Sequence, residues 1–187
     1  MNESDREINS PASPTCYVGE LAQDDLPVDV VHVERRVLAA VRTRTTAHSL
    51  PKAIVECLDR VYAFLKTASV RQSGDNVVVY LDDELTIEAG VEVTAAFAED
   101  PTERIVCTAT PAGTAAHATW LGPYNGLAKA HTAVRRWCER HGHAVGVSWE
   151  HYGDWQDDPR KLRTDVYYLL TAFHSNVIGS APNPGSP

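Results

Sequence analysis

Glu150 stands in the run Trp149-Glu150-His151-Tyr152, where each neighbour carries a ring. A carboxylate among rings in a concave site can neutralise a cation, accept a hydrogen bond or orient a water. Burial raises a carboxyl pKa and suits such a group to acid or base work. Side chains alternate along a strand, so Val147, Trp149 and His151 share one face while Ser148, Glu150 and Tyr152 share the other. With Val147 and Trp149 placed beneath helices, Glu150 and Tyr152 look into the open side. The plain alternative is an exposed strand glutamate.

Other rings compete for places around that carboxylate. Tyr80 is the nearest counterpart in the first half of the chain and shares a face with Val78; it either packs in the core or lines a cleft. Tyr167 and Tyr168 point to opposite faces, and Tyr168 has the parity that faces a cleft. Trp120 shares its face with Thr114, Ala116 and Ala118; it either lines a ligand site above those small residues or caps the core. Trp155, in an acidic loop, either closes over a cleft mouth or buries against the body. Arg42 and Arg44 alternate along a strand, as an anion-binding edge or a solvated one. Flat aromatic walls with one acid suit planar or cationic compounds.

Several chemistries find no support. There is no Ser-His-Asp order, metal motif or phosphate-cradling glycine loop, and no cofactor is expected. Four scattered cysteines form no CxxC pair and read as thiols. His141 and His143 flank Gly142, a spacing that fits a helix end better than a metal site. No histidine is placed by strand parity to hold haem. The net charge is −8, but residues 1–34 hold eight acids against one base, Arg6, and so carry all but one of those charges. The nearly neutral remainder has no basic stripe for a phosphate backbone, so direct nucleic-acid binding is not expected. No apolar run approaches a membrane span and the start lacks a signal peptide, so the expected location is the cytoplasm.

The elements that must position these residues appear twice. Residues 1–26 read as a disordered acidic leader, 27–175 as a folded domain, and 176–187 as a disordered tail. Repeat one, about 28–98, has a strand over 37–44, a helix opened by Pro51, and strands over 77–81 and 91–97. Gly74-Asp75-Asn76 breaks the chain before the second strand. Repeat two, about 104–173, begins some 76 residues later. Its strands fall at 105–110 and 114–121, followed by a helix whose face carries Leu127, Ala130, Val134, Trp137 and Cys138. Strands over 147–152 and 163–171 complete it. The fold class is therefore α+β.

The run Trp120-Leu121-Gly122-Pro123-Tyr124, a helix ending at His141-Gly142, then Trp149-Glu150-His151-Tyr152, Asp157-Asp158-Pro159 and Arg163-Thr164-Asp165-Val166-Tyr167 resembles the GyrI-like family, also called the AraC-type effector-binding domain. The resemblance implies two β-α-β-β units with pseudo-twofold symmetry. It places helices on one face of an antiparallel sheet and a ligand cleft on the other. It also implies a strand glutamate that meets cationic aromatic ligands, here Glu150. The expected function is a stand-alone small-molecule-binding domain for sensing, sequestration or resistance, with Glu150, Trp120, Tyr152, Tyr80 and Tyr168 at the ligand. One alternative is a hydrolase of strained cyclopropane antibiotics, in which Glu150 activates water and Tyr152 binds the oxyanion. Another is a gyrase-modulating interaction protein. Relatives often carry a helix-turn-helix domain, and the residues before the body are too few for one. Thr46-Ala47-His48 replaces the Gly-Pro-Tyr turn in the first unit, so symmetric ligand contacts are not expected.

Overall fold

The computed structural model describes residues 26–100, 102 and 104–171; the expected tail and, apart from Leu26, the leader lie outside them. The strands are β1 (Asp29–Val33), β2 (Val37–Arg44), β3 (Gln72–Tyr80), β4 (Thr86–Val93), β5 (Ile105–Ala109), β6 (Gly113–Leu121), β7 (Ala144–Tyr152) and β8 (Arg163–Thr171). Helix α1 (Leu50–Thr67) follows β2, and α2 (Ala128–Arg140) follows β6. Pro51 starts α1 where a missing N–H costs nothing. Gly142, with φ +68°, closes α2 in the left-handed region, and His143 N–H reaches back to Cys138 O. No helix among the described residues is long and apolar enough to cross a membrane.

All neighbouring strands pair antiparallel in the order β1-β6-β8-β7-β3-β4-β2-β5. Exchanging the first five elements for the last five reverses this order into itself. The repeat is thus β-β-α-β-β, one strand longer than expected, with the first strand of each copy lent to the other half. The pseudo-axis passes through the cross-strand pair Val78 and Glu150, flanked by Asn76 with Tyr152 and by Tyr80 with Ser148. Several boundaries differ from the sequence reading. Gly74 to Asn76 lies inside β3 at a register shift, the third strand of repeat one spans Thr86–Val93 and not 91–97, and β7 starts at Ala144 and not Val147.

The sheet cannot be flat. β1 and β2 stand six places apart, about 29 Å in a flat sheet at the usual strand spacing. Residues 34–36 alone join them, and the four Cα steps from Val33 to Val37 reach only about 15 Å. Residues 110–112 impose the same limit on β5 and β6. The two links cross and bind each other: Arg36 N–H donates to Thr110 Oγ1 and Thr110 N–H to Arg36 O, both at 2.9 Å. The sheet therefore curls until its outer strand pairs approach at one end. Gly90 permits this, since a Cβ there would sit 2.1 Å from Ala39 O.

The curl reverses one expectation. Leu38, Ala40, Val77, Val79, Ala115 and Trp149 fill the concave interior, which carries no helix. Trp149 is 1% exposed there, stacked on Tyr167 at 5.1 Å. The helices cover the opposite face, α1 over Val78, Ile87 and Ala89, and α2 over Ala116, Ala118, Val166 and Tyr168. Glu150 and Tyr152 consequently lie on the helix-bearing face, and the cleft opens between the helices, not on the side away from them. Strand parity was sound; a curled sheet buries its helix-free face by itself, so a large aromatic does not mark the side under the helices.

Candidate functional site

Between α1 and α2 the outer face holds a cleft of about 1270 Å³, with Glu150 at its floor. Glu150 is 1% exposed and accepts three hydrogen bonds. Tyr80 Oη donates to Oε2 at 3.0 Å and Tyr152 Oη at 2.5 Å. His131 Nε2 lies 2.7 Å from Oε1. The other ring nitrogen of His131 meets Tyr168 Oη at 2.8 Å, and Arg135 Nε donates to that same hydroxyl at 3.0 Å. A continuous polar chain thus runs from Arg135 through Tyr168 and His131 to the carboxylate. With Nε2 of a neutral imidazole carrying the proton, every link has one donor and one acceptor.

Local sequence explains why these groups meet. Tyr80 and Tyr168 both stand opposite Ser148, on either side of β7. The small buried serine leaves the space over it to His131, whose ring meets both tyrosines edge-on, at 5.9 and 5.7 Å. Tyr80 and Tyr152 are symmetry mates, and both clamp one carboxylate. Burial, then the charge of Glu150, pushes both hydroxyls far above the ordinary tyrosine range. They remain donors at every physiological pH. Arg135 is pushed up by its hydrogen bond to Tyr168 and stays charged.

The twofold is broken in chemistry. Leu50, Ile54, Cys57 and Val61 on α1 recur as Leu127, which caps α2, and as His131, Val134 and Cys138 on it, and Leu58 recurs as Arg135. Val78 recurs as Glu150. The α1 wall of the cleft is therefore apolar, through Ile54 and Leu58, whereas the α2 wall carries the polar chain.

A sequence profile of the GyrI-like small-molecule-binding domain matches residues 26–170. The chain belongs to that family. No curated protein matches it. Among solved structures, the GyrI-like chain is similar to the C-terminal domain of EcmrR, with TM-score 0.69 and 17% identity over 79% of this chain and 99% of that one. A protein named SAV2435, bound to tetraphenylphosphonium, gives 0.52 at 8% identity over 78% and 94%. A hydrolase from Listeria innocua gives 0.51 at 11% over 79% and 93%. At these identities the likenesses speak to the fold: an α+β, eight-stranded antiparallel sheet with two helices.

Of the residues singled out in the sequence, Glu150, Tyr80, Tyr152 and Tyr168 come together in the GyrI-like cleft. Trp120 does not. Its indole covers the turn before α2, donating to Pro123 O at 3.0 Å and filling the space where a Cβ on Gly126 would lie 2.2 Å away. Trp155 is neither lid nor core: it is 73% exposed at the cleft rim. Arg42 and Arg44 form no anion site, because Glu88 and Glu84 pair with them. His141 and His143 stack on Trp137 at the end of α2. His131 and Arg135 were missed. The signal was present, since His131 falls four residues after Leu127 and three before Val134, on the very stripe read as core.

Proposed function

We propose that this GyrI-like domain captures a compound with a delocalised or quaternary cation and an aromatic body. The single observation that carries the reading is one buried carboxylate, held by two tyrosine hydroxyls and an imidazole, at the floor of an aromatic cleft. A buried charge is costly unless compensated. Here the compensating groups in contact are dipoles and an imidazole, so the negative charge still attracts a cation across the rings. Three of roughly four lone-pair positions on Glu150 are already occupied. Such an acceptor suits cations that attract by charge over those, such as primary amines, that need several fresh hydrogen bonds. The asymmetric walls fit an amphipathic shape, with the cation toward α2 and the apolar limb along Ile54 and Leu58. A structural relative bound to tetraphenylphosphonium supports this class of ligand.

The same three hydrogen bonds weigh against a water-activating role for Glu150, because they leave little room for a water at its oxygens. The test uses calorimetric titration with tetraphenylphosphonium and with neutral triphenylphosphine oxide. Wild type is expected to prefer the cation. Glu150→Gln is expected to weaken the cation by at least about thirtyfold, roughly 2 kcal/mol, and to leave the neutral compound nearly unchanged. Equal affinities in wild type for the two compounds would overturn the reading. Mass analysis after incubation with a strained-ring alkylating agent separates capture from hydrolysis; a Glu150-dependent water adduct would replace capture by turnover.

A further inference from the structure

The carboxylate at the cleft floor is almost wholly covered, so a ligand cation reaches it only if one of its three partners yields. Tyr80 and Tyr152 come from the two central strands, β3 and β7, which are hydrogen-bonded to each other. His131 comes from α2 instead, and its side chain is 21% exposed against 2% for that of Glu150. All three partners line the cleft, and His131 is the one that a helix, not the sheet, presents to Glu150. It is also the only one of the three that can gain a full positive charge near neutral pH.

We propose that His131 is the site's resident cation and gate: protonated, it holds Glu150 and excludes a ligand cation, and a ligand cation binds with loss of that proton. This deepens the binding reading above and rests on it.

The surroundings of the imidazole make both states available. Glu150 on β7 faces Nε2 at 2.7 Å. Tyr168 on β8 faces Nδ1; its O–H can donate to the neutral ring, or its oxygen can accept from the charged one. Arg135, on the same helix, holds that hydroxyl from the far side and its charge opposes a second cation. Tyr80 on β3 presents its ring at 85° to the imidazole and is a neutral donor to Glu150, as is Tyr152 on β7. Asp83 and Glu139 act on Arg135 and temper its repulsion. A second unit charge placed against Glu150 must compete with the imidazolium for one carboxylate, and like charges at contact distance are strongly disfavoured in a dry site. Linkage fixes the sign. Ligand binding favours the neutral ring, so affinity rises with pH and falls as His131 takes up its proton.

Tetraphenylphosphonium suits the test because its charge does not change with pH. Its affinity for the whole chain is measured by calorimetry at pH 8 and pH 5.5, in buffers of different ionisation enthalpy. Between these values an imidazole passes from mostly neutral to mostly protonated. Wild type is expected to bind about tenfold more weakly at pH 5.5, with proton release on binding near the midpoint. In His131→Gln the ratio between the two pH values should collapse toward one, whatever the affinity at pH 8. His141, stacked on Trp137 at the end of α2 and outside the cleft lining, supplies the control: His141→Gln should keep the wild-type ratio. A pH-independent wild type, or a His131→Gln ratio equal to the wild-type ratio, overturns the gate while leaving binding intact. Absence of wild-type binding at pH 8 sinks the binding reading and the gate with it. Should His131→Gln not fold, ring-nitrogen NMR on wild type decides: saturating ligand must lower the titration midpoint of His131, and an unmoved midpoint refutes the proposal.

Discussion

Tyr152 and Trp120 are both large rings at the ends of second-repeat strands, yet they ask different things of the molecule. Tyr152 donates a 2.5 Å hydrogen bond to a buried charge, whereas Trp120 roofs a glycine turn outside the cleft. Tyr152→Phe should cost about 2 kcal/mol of stability, the usual scale for a hydrogen bond to a charged group. It should also alter tetraphenylphosphonium affinity. Trp120→Phe should destabilise by leaving unfilled space over Gly126, while ligand affinity stays within about twofold. Urea denaturation and calorimetry on the two variants check the contrast. The strand members of the site were legible from alternation alone: Glu150, Tyr152, Tyr80 and Tyr168 all have the parity assigned to them. Trp120 shares that parity and still misses the cleft, because position along a strand decides between cleft and turn. His131 and Arg135 stayed hidden for a different reason. His131 lies on the stripe read as core and Arg135 on the side read as solvated, and only the packed strands show Glu150 and Tyr168 waiting for them.

At the scale of elements, the decisive feature is the close approach of β2 and β4. Gly90 pairs with Ala40 on β2 and Val77 on β3, and a methyl group there would meet backbone rather than a movable side chain. Gly90→Ala should therefore destabilise by at least about 2 kcal/mol, with a fall of several degrees in Tm in a thermal scan. An unchanged Tm would mean that the sheet can relax its curl without penalty. Both helices and seven of the strands were readable from period and from Pro and Gly punctuation. β1 was not: its three valines favour a strand, but five residues following an acidic stretch are too short a run to show a clear alternation. Which face bears the helices was also illegible. Alternation reports that two faces differ, and the concave face of a curled sheet can be as apolar as one under a helix.

The whole molecule is two halves that cannot be separated without unpairing strands. β1 is hydrogen-bonded to β6, β5 to β2, and β3 to β7, so three ladders join repeat one to repeat two. The site follows the same division. Glu150, His131, Tyr152 and Tyr168 belong to repeat two, whereas Tyr80 and the apolar wall of Ile54 and Leu58 belong to repeat one. Duplication thus supplied a twofold frame, and substitution on one side of the axis made its centre polar. A chain cut between β4 and β5 is expected to give fragments that do not unfold cooperatively alone, since each leaves one strand without its partner and exposes the faces of the central β3–β7 pair. Mixed one to one, they should assemble and recover tetraphenylphosphonium binding, read by size-exclusion chromatography and calorimetry. Homodimers of either fragment can restore the ladders by the same pseudosymmetry. Repeat one alone, however, would place Val78 where Glu150 stands and should not distinguish the cation from its neutral analogue. If repeat one alone did prefer the cation, the attraction would reside in the aromatic walls and not in the lone carboxylate.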